Sequence, residues 1–192
     1  MRSLLYFPLT LCWNTTMNSI RTALPGDEPH LARVHIQAWQ EAYTGLIPQS
    51  YLDKLPSGYE ERHSMWQQIL KNPNRWAWVA ENHDGIVGFV LFGPPRDPNR
   101  ETYIEVGAIY LLAAHKSKKI GFQLLSAGFN KMRDLNYKKA YCWVLENNPT
   151  IKFYERTGAK FLNQIKQDEI GGQMFNELAY EWDSLKIIDS AT

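Results

Sequence analysis

The amino-acid sequence predicts a single α/β (α+β) domain in which helices flank a mixed, mostly antiparallel sheet of about seven strands. The first observation is size and composition: 192 residues, 44% hydrophobic and 21% charged, suit one soluble domain with a full core. The second is periodicity, because alternating apolar segments are interspersed with segments of helical spacing. The third is their order: one strand, helices, three strands, a helix, a strand, a helix and two closing strands.

The first part of the chain contains one strand and three helical segments. Alternating residues from Ser19 predict an edge strand, and Pro25-Gly26 is a turn. Apolar residues then recur at helical spacing behind Asp27, which is predicted to cap the helix. The elements predicted here are a strand at 19–24 and helices at 27–43, 48–55 and 59–70.

From Trp76 onward the apolar period changes to two, and a hairpin is predicted around Asp84-Gly85. A proline-rich loop follows, after which two strands alternate with two helices. Gly171-Gly172 is the turn of a closing hairpin. The elements predicted here are strands at 76–80, 86–92, 102–112, 140–145, 160–167 and 174–182, and helices at 117–136 and 149–157.

The predicted organisation is a disordered leader or start-site extension at 1–17, one domain at 18–185 and a tail at 186–192. The apolar stretch of the leader is interrupted by Pro8 and Thr10, lacks a small-x-small cleavage site and is too short to span a membrane. Only Cys12 and Cys142 are present, so no disulfide framework is expected and a reducing cytoplasm fits best. The net charge of +1 gives no general attraction to nucleic acid or membrane surfaces.

A candidate anion site lies between the strand at 102–112 and the helix that follows it. The first turn of a helix carries unpaired amides and a partial positive charge, so it binds phosphate where the backbone allows close approach. Lys116, Lys118, Lys119 and Gly121 fall at this place. The alternative is an ordinary solvated helix end, which is the more common meaning of such a charge run.

The same segment resembles the pyrophosphate loop of the GNAT superfamily of N-acetyltransferases, commonly written Arg/Gln-x-x-Gly-x-Gly/Ala. In this chain the pattern falls on Lys116-x-x-Lys119-x-Gly121. Lys116 keeps the positive charge, whereas Lys119 places a side chain where the family usually has glycine. A right-handed conformation at Lys119 would accommodate this side chain, and a positive φ would count against cofactor binding.

Further segments extend the resemblance over nearly the whole chain from Ile20 onward. Residues 148–158 match the Asn-Pro-x-x-x-Phe-Tyr-Glu-x-x-Gly pattern of one bacterial branch, and residues 39–48 are similar to its first helix and loop. The strand at 103–112 resembles the family strand that pairs with the pantetheine arm. The resemblance implies an acyl-CoA N-acyltransferase fold with acetyl-CoA as acyl donor. The cofactor-binding residues that it implies are Ile109, Tyr110, Leu111, Lys116, Ser117, Lys118, Lys119, Ile120, Gly121, Phe122, Asn148 and Lys152.

Acetyl transfer to an amine would need a base more than an acid. Deprotonating an amine of pKa about 10.4 at pH 7 costs about 4.6 kcal/mol, whereas a thiolate of pKa about 8.5 leaves with little help. Glu105, on the strand beside the expected cofactor arm, is the first candidate for the catalytic base. The alternative for Glu105 is a solvated strand end. Glu41 is the second candidate base, and water could relay the proton to either.

Tyr154 is the candidate catalytic acid. A phenol of pKa about 10 donates to a thiolate of pKa about 8.5 at a cost of only about 2 kcal/mol. The alternative is that Phe153 and Tyr154 only pack the short helix against the sheet. Asn148 is expected to cap that helix, to bond the pantetheine amide, or both. A backbone amide near Leu111 is expected to polarise the acyl carbonyl.

The acceptor site is the part that the sequence defines least. Trp39, Glu41 and Tyr43 are the predicted substrate-binding residues, and aromatic faces such as those of Trp39 and Tyr43 suit cationic amines. Aromatic residues at helical spacing are more often part of a buried core. His35 is expected to be a core histidine, and no spacing of His, Cys and carboxylates indicates a metal site.

The function predicted on this basis is an acetyl-CoA-dependent N-acetyltransferase, acting on a primary amine of a small molecule, peptide or protein by direct attack in a ternary complex. A route through Cys142 is disfavoured, because a buried strand thiol is not activated. The alternative is a non-catalytic acyl-CoA-binding or regulatory module, which Lys119 favours. Nucleic acid and membrane are not expected partners, and a homodimer, common among relatives, is left open.

Overall fold

The computed structural model describes residues 18–187, within which seven strands form one sheet. In chain order they are β1 (Ser19–Thr22), β2 (Trp76–Asn82), β3 (Gly85–Gly93), β4 (Tyr103–Leu111), β5 (Lys139–Leu145), β6 (Lys160–Ile170) and β7 (Gln173–Trp182). Their order across the sheet is β1-β2-β3-β4-β5-β7-β6. All neighbours are antiparallel except β4 and β5. The predicted α/β (α+β) fold with a mixed, mostly antiparallel sheet is confirmed.

Helices lie on both faces of this sheet. In the described residues they are α1 (Glu28–Tyr43), α2 (Gln49–Leu52), α3 (Tyr59–Lys71), α4 (Ile120–Asp134) and α5 (Ile151–Arg156), with 3-10 turns at Leu55–Gly58, Pro98–Arg100 and Ala113–His115. Asp27 occupies the N-cap position of α1, as predicted, but its side chain makes no capping hydrogen bond. The carboxylate of Asp27 instead binds the Arg21 guanidinium at 2.7 Å and the Leu24 N–H at 2.8 Å.

The core has one layer on each face of the sheet. On the α4 face, Phe92 of β3 packs against Phe129 of α4. On the face covered by α1 and α3, Trp66 packs edge-on against Phe89, with ring centroids 4.8 Å apart. Strand β3 is therefore buried on both faces, which explains why residues 86–92 read as a nearly continuous apolar run.

The predicted leader at 1–17 and most of the predicted tail lie outside the described residues. Leu185 is buried and Ile187 packs against the core on the α4 face. Across residues 18–187, no helix is long and apolar enough to cross a membrane. The same residues contain no group of three or more His, Cys, Asp or Glu side chains that could hold a metal ion.

Candidate active site

The sheet opens between β4 and β5. These strands pair in parallel over a short stretch that ends with Glu105 opposite Tyr141. The pairing of β3 with β4 shifts by one residue at Gly107, which has no partner on β3 and forms a β-bulge. A bulge bends its strand, and this one comes directly after the last pairs with β5. Strand β4 therefore leaves β5 near Gly107, which is exposed although it lies in a central strand.

Beyond the bulge, β4 presents backbone groups to the gap. The Leu112 N–H donates to the Val87 carbonyl at 3.0 Å, and residues bonded across an antiparallel ladder alternate with residues that point away. Ile109 and Leu111 therefore direct their N–H and C=O groups into the gap. Their side chains pack on the α4 face of the sheet, and the Tyr110 side chain packs on the α1 face. Such an edge can pair with an extended ligand that carries amide groups.

The predicted anion site lies at the start of α4. This helix begins at Ile120 rather than at the predicted Ser117, because Ser117 and Lys119 have left-handed φ angles of 62° and 60°. The N–H groups in the first turn of a helix have no intrahelical acceptor. They lie beside the exposed lysines of residues 116–119, so this segment offers a phosphate both amides and positive charge.

Lys119 holds a conformation that normally favours glycine. Its φ of 60° and ψ of 6° lie in the left-handed region, which costs an L-residue about 1–2 kcal/mol. A positive φ at Lys119 was expected to count against cofactor binding. The left-handed angle is, however, one that glycine adopts readily, so the loop backbone can keep the conformation of a glycine loop while lysine makes it less stable. The structure thus shows that lysine at this position adds backbone strain to the loop.

Replacing Lys119 by glycine is expected to raise the free energy of unfolding by about 0.5–1 kcal/mol. Relief of the left-handed strain exceeds the extra freedom that glycine gives the unfolded chain. The matched control is Lys118→Gly, which removes the same charge where φ is negative and should leave stability unchanged or lower it. Urea denaturation measures both variants, and equal effects would contradict the strain argument.

Helix α5 packs against the start of α4. The Phe153 and Phe122 rings are 5.4 Å apart, and a Cβ added to Gly121 would lie 3.1 Å from the Phe153 ring. Gly121 therefore allows the two helices to approach closely. Asn148 is buried and its Oδ1 accepts the Thr150 N–H at 2.9 Å, which orders the turn before α5. Lys152, the other predicted residue of this segment, is exposed on α5.

Tyr154 is 7% exposed, between α5 and the sheet. Its ring packs edge-on against Trp182 with centroids 5.6 Å apart, and its hydroxyl hydrogen-bonds the Cys142 thiol on β5. Burial, followed by the proximity of Cys142 and Tyr43, raises the pKa of Tyr154 well above 10. Since Cys142 directly follows the last β5 residue paired with β4, the phenol is a protonated donor beside the gap.

Glu105 is 2% exposed and is therefore not a solvated strand end. Its carboxylate accepts hydrogen bonds from the Arg96 backbone N–H at 2.9 Å, the Arg96 Nε at 2.8 Å and the Tyr141 hydroxyl at 2.9 Å. Burial by itself raises the pKa of Glu105, but the hydrogen bonds and charge of Arg96 outweigh it, so that the net pKa is lowered. Glu105 is thus a fixed, ionised carboxylate.

Two predicted substrate-binding residues of α1 meet a predicted cofactor residue of β4. The Tyr43 hydroxyl lies 3.1 Å from the Tyr110 hydroxyl, and the Trp39 ring lies 4.7 Å from the Tyr43 ring. Burial raises the pKa of both phenols. Glu41 is exposed, and its carboxylate accepts the Ala113 N–H at 2.7 Å. Glu41 therefore ties α1 to the segment that follows β4.

A cavity of about 510 Å³ lies between α1, α3 and β4. It reaches β4 at Glu105, Gly107 and Ala108, where the strand leaves β5, and Trp39 forms part of its wall. His35 also lines it, and burial, followed by the charge of Arg62, lowers the pKa of His35 to about 3. The imidazole is therefore neutral near pH 7, packed among aromatic rings as expected of a core histidine.

The structure adds site residues that were not predicted from the sequence. Arg96 and Tyr141 fix the Glu105 carboxylate, and Arg62 and Arg75 line the cavity. These residues belong to different elements and come together only in the folded chain. One signal was readable, because a glycine inside a strand, here Gly107, indicates a bulge or a close backbone approach.

Comparison with known proteins identifies the family. The sequence pattern of the acetyltransferase (GNAT) family matches residues 36–159. The uncharacterized N-acetyltransferase YuaI of Bacillus subtilis is 31% identical over 176 residues, which cover 90% of this chain and 96% of that protein. The probable N-acetyltransferase Rv2775 of Mycobacterium tuberculosis is 28% identical over 139 residues, which cover 71% of this chain and 76% of that protein.

Solved structures show the same fold. The PaiA N-acetyltransferase of Thermoplasma acidophilum, determined in complex with coenzyme A, superimposes with a TM-score of 0.64 at 20% identity, covering 86% of this chain and 98% of that one. An N-acetyltransferase of Staphylococcus aureus gives a TM-score of 0.67 at 21% identity, covering 89% and 100%. The resemblance predicted from the sequence is confirmed, and the chain belongs to the acetyltransferase (GNAT) family.

Proposed function

We propose that the protein transfers the acetyl group of acetyl-CoA to the primary amine of a small molecule, by direct attack in a ternary complex. Family membership and the relatives confirm the predicted enzyme class, an N-acetyltransferase; the proposal adds the donor, the acceptor and the route. The observation that carries it is the gap between β4 and β5, which lies between a helix-start lysine loop and a separate cavity on the α1 face.

The residues around the gap fit an acyl-CoA. Ile109 and Leu111 offer backbone groups to amides of the pantetheine arm, and residues 116–122 offer amides and lysines to its phosphates. Asn148 and Lys152 stand on the α5 side of the same site. The coenzyme A bound to the Thermoplasma acidophilum structure supports this assignment. When bound, acetyl-CoA supplies the acetyl group as a thioester.

Three groups of this chain would act on the reaction. The Leu111 N–H, directed into the gap, would polarise the acyl carbonyl. Tyr154 would hold a proton beside the leaving sulfur and donate it. Glu105 would attract the ammonium form of the acceptor and take its proton through water, since its carboxylate is held ionised at the cavity wall.

The environment of Cys142 supports direct attack. The thiol is 1% exposed, and burial raises its pKa well above the usual range. A protonated, buried thiol is a poor nucleophile. An acetylated cysteine is therefore not part of the proposed route, and the amine takes the acetyl group from the thioester itself.

Initial rates of thiol release test this function. With acetyl-CoA and an amine both varied, a ternary complex gives intersecting double-reciprocal lines, and Cys142→Ala keeps most of the activity. Parallel lines, or loss of activity in Cys142→Ala with its fold intact, would show a covalent route. No thiol release with any amine of a broad panel would refute the proposed reaction. A faster rate with longer acyl-CoA donors would show that acetyl-CoA is not the preferred donor.

A further inference from the structure

The acceptor cavity carries an excess of positive charge. Arg62, Arg75 and Arg96 line it, and Glu105 is the one carboxylate among the described lining residues. Glu105 is already paired with Arg96. Within residues 18–187, neither Arg62 nor Arg75 forms an ion pair with Asp or Glu. Two uncompensated guanidinium groups therefore face a space of about 510 Å³.

Arg75 is held against the end of β3. A Cβ added to Gly93 would lie 2.5 Å from Arg75 Nη1 and 2.8 Å from its Cδ, so the guanidinium rests on the bare backbone of Gly93. Any other residue at this position would push the Arg75 side chain away. The half-buried Arg75 side chain thus has a defined position in the cavity wall.

Arg62 lines the cavity from helix α3. Its guanidinium lies 5.9 Å from the centre of the Trp39 ring, in a cation–π arrangement. His35, which also lines the cavity, is 7% exposed and its Nδ1 has no hydrogen-bond partner. A buried polar atom without a partner is costly, so the polar character of this wall is not explained by contacts within the described residues.

We propose that this cavity selects amines that carry a second, anionic group, a carboxylate or a phosphorus oxyanion, which Arg62 and Arg75 bind. Guanidinium groups match planar carboxylates and phosphates through paired hydrogen bonds. The reacting amine then lies toward the gap, where Gly107 and Ala108 line the same cavity. Polyamines and simple alkylamines lack a group that compensates the two arginines. This inference rests on the proposed function, because it names the acceptor of the same reaction.

A panel of matched amines tests the selectivity of the wild-type protein. Glycine, β-alanine, γ-aminobutyrate and aminoethylphosphonate are each compared with the carboxamide or alkylamine of the same length. The expected result is a kcat/KM at least about 10-fold higher for one or more anionic acceptors than for their neutral partners. Equal or higher values for every neutral partner would overturn the proposal while leaving the acetyltransferase function in place.

Variants then locate the anion. Arg62→Gln and Arg75→Gln should each raise KM for the preferred anionic acceptor roughly 10- to 100-fold, with less than about 3-fold change for its neutral partner. Gly93→Ala, which keeps both charges but displaces Arg75, should show the same selective loss. The control is Arg33→Gln, because Arg33 lies outside the cavity, with its guanidinium 5.8 Å from the centre of the Tyr59 ring. This variant should leave the KM values of both acceptors unchanged. An equal loss for both partners would overturn the assignment.

A binding measurement separates this proposal from the catalytic one. The N-acetylated forms of the same acids cannot react further, and calorimetry with and without coenzyme A measures their affinity for the full chain. Binding that Arg75→Gln abolishes supports the anion site even if no amine is turned over. No heat of binding for any of these acids at millimolar concentration, in a protein that does acetylate amines, overturns it.

Discussion

Replacing Glu105 by glutamine is expected to lower kcat by about two to four orders of magnitude, the range of general-base catalysis. The variant keeps the size of the side chain but loses the negative charge that Arg96 and Tyr141 hold at the cavity wall. Because the pKa of Glu105 is lowered, the carboxylate is ionised throughout pH 5–9. Loss of the carboxylate should therefore reduce the rate across this whole pH range. The pH at which the rate rises, which reports deprotonation of the amine, should not change.

The control for this variant is Glu101→Gln, an exposed acid in the turn before β4. It should keep the wild-type pH profile, as measured by thiol release between pH 5 and 9. An unchanged kcat in Glu105→Gln would remove Glu105 from the chemistry. A loss confined to the acidic end of the profile would contradict a carboxylate that is already ionised there.

The same substitution changes the dependence of stability on pH. A carboxylate with a lowered pKa stabilises the fold above its unfolded pKa, and this contribution is lost as the pH falls through the folded value. Glu105→Gln should therefore lower the free energy of unfolding by about 1–2 kcal/mol at pH 7, a modest value because Arg96 is 61% exposed. The difference from wild type should shrink below about pH 4. Urea denaturation at both pH values measures it.

Replacing Tyr154 by phenylalanine is expected to lower kcat about 100-fold, the lower end of the range for general acid catalysis, while leaving the fold intact. The ring keeps its packing against Trp182 and Phe153, and the bond lost is to a thiol, which is a weak partner. Since burial raises the pKa of Tyr154 well above 10, its proton is bound firmly. In solution, transfer of a proton from a phenol to this thiolate costs about 2 kcal/mol. In the protein the raised pKa makes the transfer cost more, so Tyr154 must lie close to the leaving sulfur to be an effective acid.

Tyr180→Phe is the matched control, because Tyr180 is a buried phenol in the same core that bonds Glu155 at 3.5 Å. It should keep nearly full activity. Thiol-release rates and thermal unfolding midpoints of both variants distinguish chemistry from packing. Full activity of a well-folded Tyr154→Phe would leave Tyr154 with packing alone.

The elements were predictable from the sequence because each one depends on local patterns. Alternation between Trp76 and Phe92 gave the first hairpin, and the Gly171-Gly172 turn placed the last. The predicted start of α4 was wrong because serine and lysine side chains do not indicate a positive φ. Asp27 does occupy the predicted N-cap position, but its carboxylate binds Arg21 instead of the helix amides, and Arg21 belongs to another element.

The candidate site was predictable only in part. Glu105 and Tyr154 were singled out from the residues beside them, and their roles stay predictions. Their environments could not be read, since Arg96 and Tyr141 reach Glu105 from a loop and from the neighbouring strand. Pairings of this kind depend on the register of β4 with β5, which the folded chain determines.

The bend at Gly107 also affects how the protein avoids unwanted association. An open strand edge with unpaired backbone groups is a template on which another polypeptide can add. Here the opened edge of β4 lies inside the sheet, beside β5, instead of at its periphery. A narrow amide-bearing molecule can enter this slot lengthwise, whereas a strand from another folded chain would collide with β5. The bulge thus exposes backbone groups to the proposed ligand without creating an aggregation-prone border.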